Sequence, residues 1–250
     1  MQVARPKSTL LLLAILTCAL SLSAQDLQSL LTSFQNDQDR GKRELVLENI
    51  VEHYPEAGPS FLTIAQSADD PKDPDLKWMA IRGLGRLKYK QAVPFLEACL
   101  QSDAPYVRAN GAMALGQIGD TSATPALVRM LRKEEDSGVI EQTSLALLEL
   151  KAYNALPVLK EKVDNPSVQT QTWVLGAIAG LASRPDIPYL ATFLSNRDKI
   201  VEVTAAFGIE RLTGQDFKYP CASNGPCDPS PFIANAQDWW EMHKSEFEQR

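Results

Sequence analysis

Few residues of this chain have types and spacing that could carry chemistry. There are two histidines, His53 and His243, each isolated in sequence. No Gly-x-Ser-x-Gly elbow is present to set up a serine nucleophile. No set of three or four Cys and His stands at zinc-binding spacing. Gly83-Leu84-Gly85 lacks the preceding strand and the third glycine that a dinucleotide loop needs. Asp69, Asp70, Asp73 and Asp75 could together attract Ca²⁺. The two prolines among them and the absence of EF-hand spacing instead make the stretch an inter-helix loop ending in a cap. The expectation is therefore a chain with no catalytic residues, no cofactor and no metal, one that is not an enzyme.

Cysteine is the other reactive type. Cys221 and Cys227 bracket a five-residue stretch, Ala222 to Pro226, and in an exported chain they predict a local disulfide. Loop entropy assigns such a link about 2 kcal/mol. Cys99 shares a column with Met130 and Phe193 and reads as a small core residue.

These residues must be positioned by elements, and the elements repeat. Pro94, Pro125, Pro157 and Pro188 follow one another at steps of 31, 32 and 31. Each is followed two residues later by a leucine and six residues later by Leu or Val. That is a helix with proline in its first turn, where the missing N–H costs nothing. Upstream of each proline lies a second helical pattern, anchored on Leu87, Ile118, Leu150, Leu181 and Leu212. Three residues before each anchor stands Leu or Ile, and four before stands Gly83, Ala114, Ala146, Ala177 or Gly208. The spacings place these on one helix face, and the small column marks close approach of another helix. The unit is thus helix A, a short turn, then helix B opened by proline. Asp73-Pro74, Asp103-Ala104-Pro105 and Asn165-Pro166 are placed to cap the next helix A.

The period of about 31 is that of a helical solenoid. The predicted fold is all-α, a right-handed solenoid of the ARM/HEAT type with five or six two-helix repeats. The expected organisation is a signal peptide over 1–24, an N-terminal capping helix over 25–38, the repeat array over 39–212 and a C-terminal cap over 213–250. Trp239 and Trp240 lie about 100° apart on the last helix, so one is expected to close the array and the other to rest on the Cys221–Cys227 loop or lie exposed, with ligand stacking as the alternative to capping.

Val107 to Asp120 with Ala123-Thr124-Pro125-Ala126-Leu127, and Ala80 to Leu87, resemble HEAT repeats of the short bacterial kind, also called phycobilisome-lyase-like. The ending from Leu212 to Tyr219, followed by Trp239-Trp240, is similar to the close of many bacterial HEAT-repeat chains. The resemblance implies a superhelical binding scaffold. It also suggests bilin-attachment chemistry, as an enzyme or enzyme subunit that binds a chromophore or small molecule. HEAT enzymes that hydroxylate deoxyhypusine hold iron with His-Glu pairs, but Tyr54 follows His53 and Lys244 follows His243 here.

Arg5, Lys7 and the apolar run Leu10 to Leu20 form the signal, cut after Ser23 or Ala24. The alternative is a lipoprotein cut before Cys18. The whole chain carries 25 basic and 31 acidic residues, a charge of −6. Removing Arg5 and Lys7 gives 23 − 31 = −8, which excludes a general nucleic-acid binder. The main functional expectation is an exported, periplasmic or secreted protein-binding scaffold with no catalysis of its own. Its partner face is expected on the B helices at Glu97, Gln101, Arg129, Arg132, Lys133, Lys160 and Glu161. Their mixed charge suits a polypeptide partner.

Overall fold

The computed structural model describes residues 26–68, 73–220 and 228–247, and every regular element among them is an α- or 3₁₀-helix. The expectations for residues 1–24, Cys18, Asp69, Asp70, Cys221 and Cys227 lie outside the described residues. The chain divides into two compact units, Met1–Tyr89 and Lys90–Arg250.

The first unit holds α1 (26–36), α2 (Arg40–His53), α3 (Gly58–Ser67) and α4 (Pro74–Arg86). Phe34 and Phe61 meet edge to face at 5.3 Å in its core. Adding a Cβ to Gly83 would bring it within 3.1 Å of the Phe61 ring, which accounts for the small residue in that column. Arg43 is fully buried, an arrangement that needs full pairing. Its Nε donates to the Phe34 carbonyl at 2.9 Å, and its terminal nitrogens donate to Asp73 at 2.8 and 2.6 Å. Asp73 also accepts from the Leu76 amide at 3.3 Å, so one carboxylate caps α4 and neutralises Arg43. The Arg43 guanidinium holds the Asp73 carboxyl below its ordinary value.

The second unit begins with α5 (Val93–Cys99), α6 (Pro105–Ile118), α7 (Thr124–Lys133), α8 (Ser137–Glu149) and α9 (Leu156–Lys162). It continues with α10 (Val168–Leu181), α11 (Ile187–Ala191), α12 (Lys199–Thr213) and α13 (Ser230–His243). Each B helix, α5, α7, α9 and α11, carries proline as its second residue and follows a 3₁₀ turn. The A helices α6, α8, α10 and α12 stack at small residues. A Cβ on Gly116 would lie 2.7 Å from Ala146 Cα, and one on Gly208 would lie 2.8 Å from Ala179 Cβ. The fold class is the all-α HEAT-type solenoid that the columns predict.

One detail differs from the sequence reading. Asp103 and Asn165 do not cap the following helices: α6 starts after Ala104 without a side-chain cap, and Ser167 caps α10. Asn165 instead bonds the Ser167 amide at 2.9 Å, a local turn that places the shorter hydroxyl at the cap. Three A helices, α4, α6 and α8, are followed by a left-handed residue at one repeating position. Gly119 fills it at φ 76°, but Lys88 at φ 51° and Lys151 at φ 53° fill it in their own repeats. At the C-terminal end, Trp239 is buried against Phe217 and stacks on His243 at 4.5 Å, while Trp240 rests on Phe247 at 5.8 Å.

Candidate functional site

The B helices of the first two repeats in the second unit stand side by side. Helical spacing turns Pro94, Glu97, Ala98 and Gln101 from α5 and its following turn toward Ala126, Arg129, Met130 and Lys133 of α7. The groove between them measures about 680 Å³, within the range of small-molecule sites. Glu97, Gln101, Arg129 and Lys133, four of the expected partner residues, all line it. Arg129, Lys133 and Glu97 have no ion-pair partner among the described residues. Arg129 and Lys133 are one helical turn apart and both exposed, so two cations face the same opening.

The base of the groove is fixed by a pair not among the expected residues. Arg108 of α6 donates to both carboxylate oxygens of Glu134, at 2.8 and 2.9 Å, in the bidentate form that arginine favours. Its remaining nitrogen donates to the Ser102 and Asp103 carbonyls at 2.8 and 3.1 Å. Glu134 in turn accepts from the amides of Glu135 and Asp136 at 3.2 and 3.0 Å. Lys162 of the next repeat donates to the Glu134 carbonyl at 2.7 Å. Burial pushes the Glu134 carboxyl up, but Arg108 and the two amides outweigh it and hold it below the ordinary value. The hydrogen bond to Glu134 raises the Arg108 guanidinium. The clamp is therefore charged throughout neutral pH and ties the loop after α5 to the end of α7.

The other expected face residues fall elsewhere. Arg132 is exposed on α7 but does not line the groove, and Glu161 is exposed on α9. Lys160, unlike Arg129 and Lys133, is paired. Its Nζ donates to Asp186 at 2.8 Å and sits 4.5 Å from the Tyr189 ring centre, because the following 3₁₀ turn and α11 supply an anion and an aromatic face. Arg108 and Glu134 were legible only as charges, one in a helix A of small and apolar residues and one just past a helix B. No metal-holding cluster of His, Cys, Asp or Glu occurs among the described residues. No helix among them is long and apolar enough to cross a membrane. Chemically, the groove can seat an anion on Arg129 and Lys133, above a floor tied together by the Arg108–Glu134 pair.

Residues 61–148 match the HEAT repeats family. A phycocyanobilin lyase subunit alpha of Nostoc sp. is 30% identical over 138 residues, covering 55% of this chain and 43% of that protein. The phycocyanobilin lyase subunit alpha of Synechococcus elongatus is 38% identical over 74 residues, 27% of each chain. The matched stretches thus span less than half the length of these curated relatives. Among solved structures, a chain of the CpcE and CpcF complex of phycocyanin lyase from Nostoc sp. is similar in fold. Its TM-score is 0.54 at 18% identity, over 85% of this chain and 94% of that one. An engineered protein matches with a TM-score of 0.50 at 16% identity, over 76% of this chain and 97% of that one. The expectation of a chain that is not an enzyme is overturned by these relatives, which are subunits of a lyase. The missing motif was a poor guide, since an enzyme subunit can act by holding a substrate in a reactive orientation, which requires no triad and no metal.

Proposed function

We propose that this chain, whose residues 61–148 are HEAT repeats, is a subunit of an enzyme of the bilin lyase kind, and that the groove between α5 and α7 holds the substrate. The similarity to phycocyanobilin lyase alpha subunits over 138 residues supports the class of reaction. The groove supports the ligand class. A linear tetrapyrrole carries two propionate carboxylates, and Arg129 and Lys133 offer two unpaired cations at one-turn spacing beside an opening of about 680 Å³. That cation pair is the observation that carries the assignment. Arg108 and Glu134 act as positioning residues, holding the two B helices at a fixed separation. The solved structure of similar fold is a complex of two chains, so the exposed Arg132, which lies outside the groove, is left for a protein partner.

The test is a titration of the purified protein with phycocyanobilin, followed by gel filtration with detection in the visible. The expected result is pigment that elutes with the protein and is displaced at higher salt. Charge reversal at both cations, Arg129→Glu with Lys133→Glu, is expected to weaken retention by at least about tenfold, as loss of two charge-assisted contacts should. Pigment that fails to co-elute with the wild type, or that binds the reversed variant equally well, would refute the assignment.

A further inference from the structure

Successive B helices present the same positions to one another, so the α5–α7 groove has a counterpart between α9 and α11. Counted from the proline that opens each B helix, Glu97 and Gln101 correspond to Lys160 and Asp164, and Met130 corresponds to Phe193. In the α9–α11 repeat these three counterparts gather on one ring. Tyr189 has its ring centre 4.5 Å from the Lys160 ammonium and meets Phe193 edge to face at 5.4 Å. The charge of Asp164 acts on its hydroxyl. Burial, with Asp164 adding to it, pushes that hydroxyl up to about 12, the mark of a phenol partly withdrawn from water.

The residue corresponding to Tyr189 in the α5–α7 groove is Ala126, which lines the opening. The place that a ring takes in one repeat is held by a methyl in the other. Ala98, also on the lining, stands where α9 carries Glu161, so a second position is trimmed as well. Arg129 and Lys133 stand where α11 and its following turn carry Thr192 and Asn196. The open groove therefore has two cations that the filled one lacks, and lacks the ring that the filled one has.

We propose that Ala126, with Ala98, is the specificity-determining position of the groove, and that the space over Ala126 is a subsite for one planar ring of the ligand. The ring is taken between Glu97, Gln101 and Met130 as Tyr189 is taken between Lys160, Asp164 and Phe193. Met130 suits this contact, since an unbranched thioether adapts its shape and packs favourably on an aromatic edge. The proposal rests on the bilin reading of the groove and adds to it which part of the pigment goes where. A pyrrole ring lies over Ala126, and a propionate reaches Arg129 and Lys133.

The test is a fluorescence titration of the purified protein with anilinonaphthalenesulfonate, a probe that carries planar rings and one anion, repeated with phycocyanobilin as competitor. The wild type is expected to bind the probe saturably and to release it to the pigment. Ala126→Tyr rebuilds the filled arrangement, and Ala98→Tyr sets a ring at the rim of the same space. Each is expected to raise the probe's dissociation constant at least about tenfold, with both cations untouched. Ala126→Ser keeps the space and should bind as the wild type does. Ala126 is nearly buried, whereas Ala98 is exposed, so Ala98→Tyr should melt with the wild type and is the decisive variant. Probe that binds the wild type, is lost from both tyrosine variants and is not displaced by phycocyanobilin upholds the ring subsite and refutes the bilin reading alone. A wild type that takes up no probe overturns the proposal, as does an Ala98→Tyr variant that melts and binds like the wild type.

Discussion

Removal of either side of the Arg108–Glu134 clamp should cost far more than an ordinary surface ion pair. The two side chains are only 17% and 7% exposed, and their paired hydrogen bonds measure 2.8 and 2.9 Å. At a charge separation near 4 Å and an effective dielectric of 20, the attraction is about 4 kcal/mol, from which desolvation must be subtracted. A net coupling of about 2 kcal/mol is expected, within the range measured for contacting residues. Glu134→Ala alone should cost about 3 kcal/mol, because it leaves Arg108 charged and half-paired while two amides lose their acceptor. For a unit of this size that is a fall in Tm of roughly 6–10 °C. The assay is urea unfolding of the wild type, Arg108→Ala, Glu134→Ala and the double variant at pH 7, repeated in acid. The Glu134 carboxyl is held below its ordinary 4.5, so its contribution is complete above that pH and is lost as pH falls through the folded-state value. A coupling under about 0.5 kcal/mol at pH 7, or one that persists unchanged in acid, would refute the reasoning.

Other substitutions probe the same account. Gly116→Ala should destabilise by about 2 kcal/mol, since its Cβ would press on the Ala146 backbone, whereas Gly176→Ala should stabilise by about 1 kcal/mol; thermal melts of both at low concentration check the contrast. Lys151→Gly should raise stability by about 1 kcal/mol by relieving a left-handed lysine at φ 53°, read by chemical denaturation. Asp73 and Asp186, like Glu134, are held below their ordinary values, with burial opposing in Asp186 and the Arg43 and Lys160 contacts prevailing. Stability should therefore be level above about pH 5 and fall steadily below about pH 4, measured as Tm against pH. Glu210 has the opposite sign. Burial, aided by Asp216, raises its carboxyl, so Glu210→Gln should increase Tm at neutral pH and leave it unchanged in acid.

The helix pairs could be read from sequence because close packing leaves a mark in residue type. Gly208 and Ala146 are small since another helix lies against them, and Pro125 opens a helix since its missing N–H is harmless there. The repeat then carries the same mark along the chain. The groove could be read in part, because Glu97, Gln101, Arg129 and Lys133 stand out as polar residues among the apolar columns of successive B helices. Its floor was not legible. Arg108 and Glu134 stand 26 residues apart, and nothing in either neighbourhood says that the two charges meet. Lys160 shows the same limit in reverse. It has the look of a free surface cation, yet an aspartate 26 residues later captures it. Ion pairing depends on which loop reaches which helix end, and the periodic signal is silent on that.

The Arg43–Asp73 pair bears on the order in which the chain can acquire structure as it is made. Synthesis delivers Arg43 thirty residues before the carboxylate that neutralises it. Until then, closing α1 and α2 over a fully buried guanidinium would trap a charge with only the Phe34 carbonyl for company. Arg43 therefore reaches its full pairing only once Asp73 has emerged, the same side chain on which α4 begins.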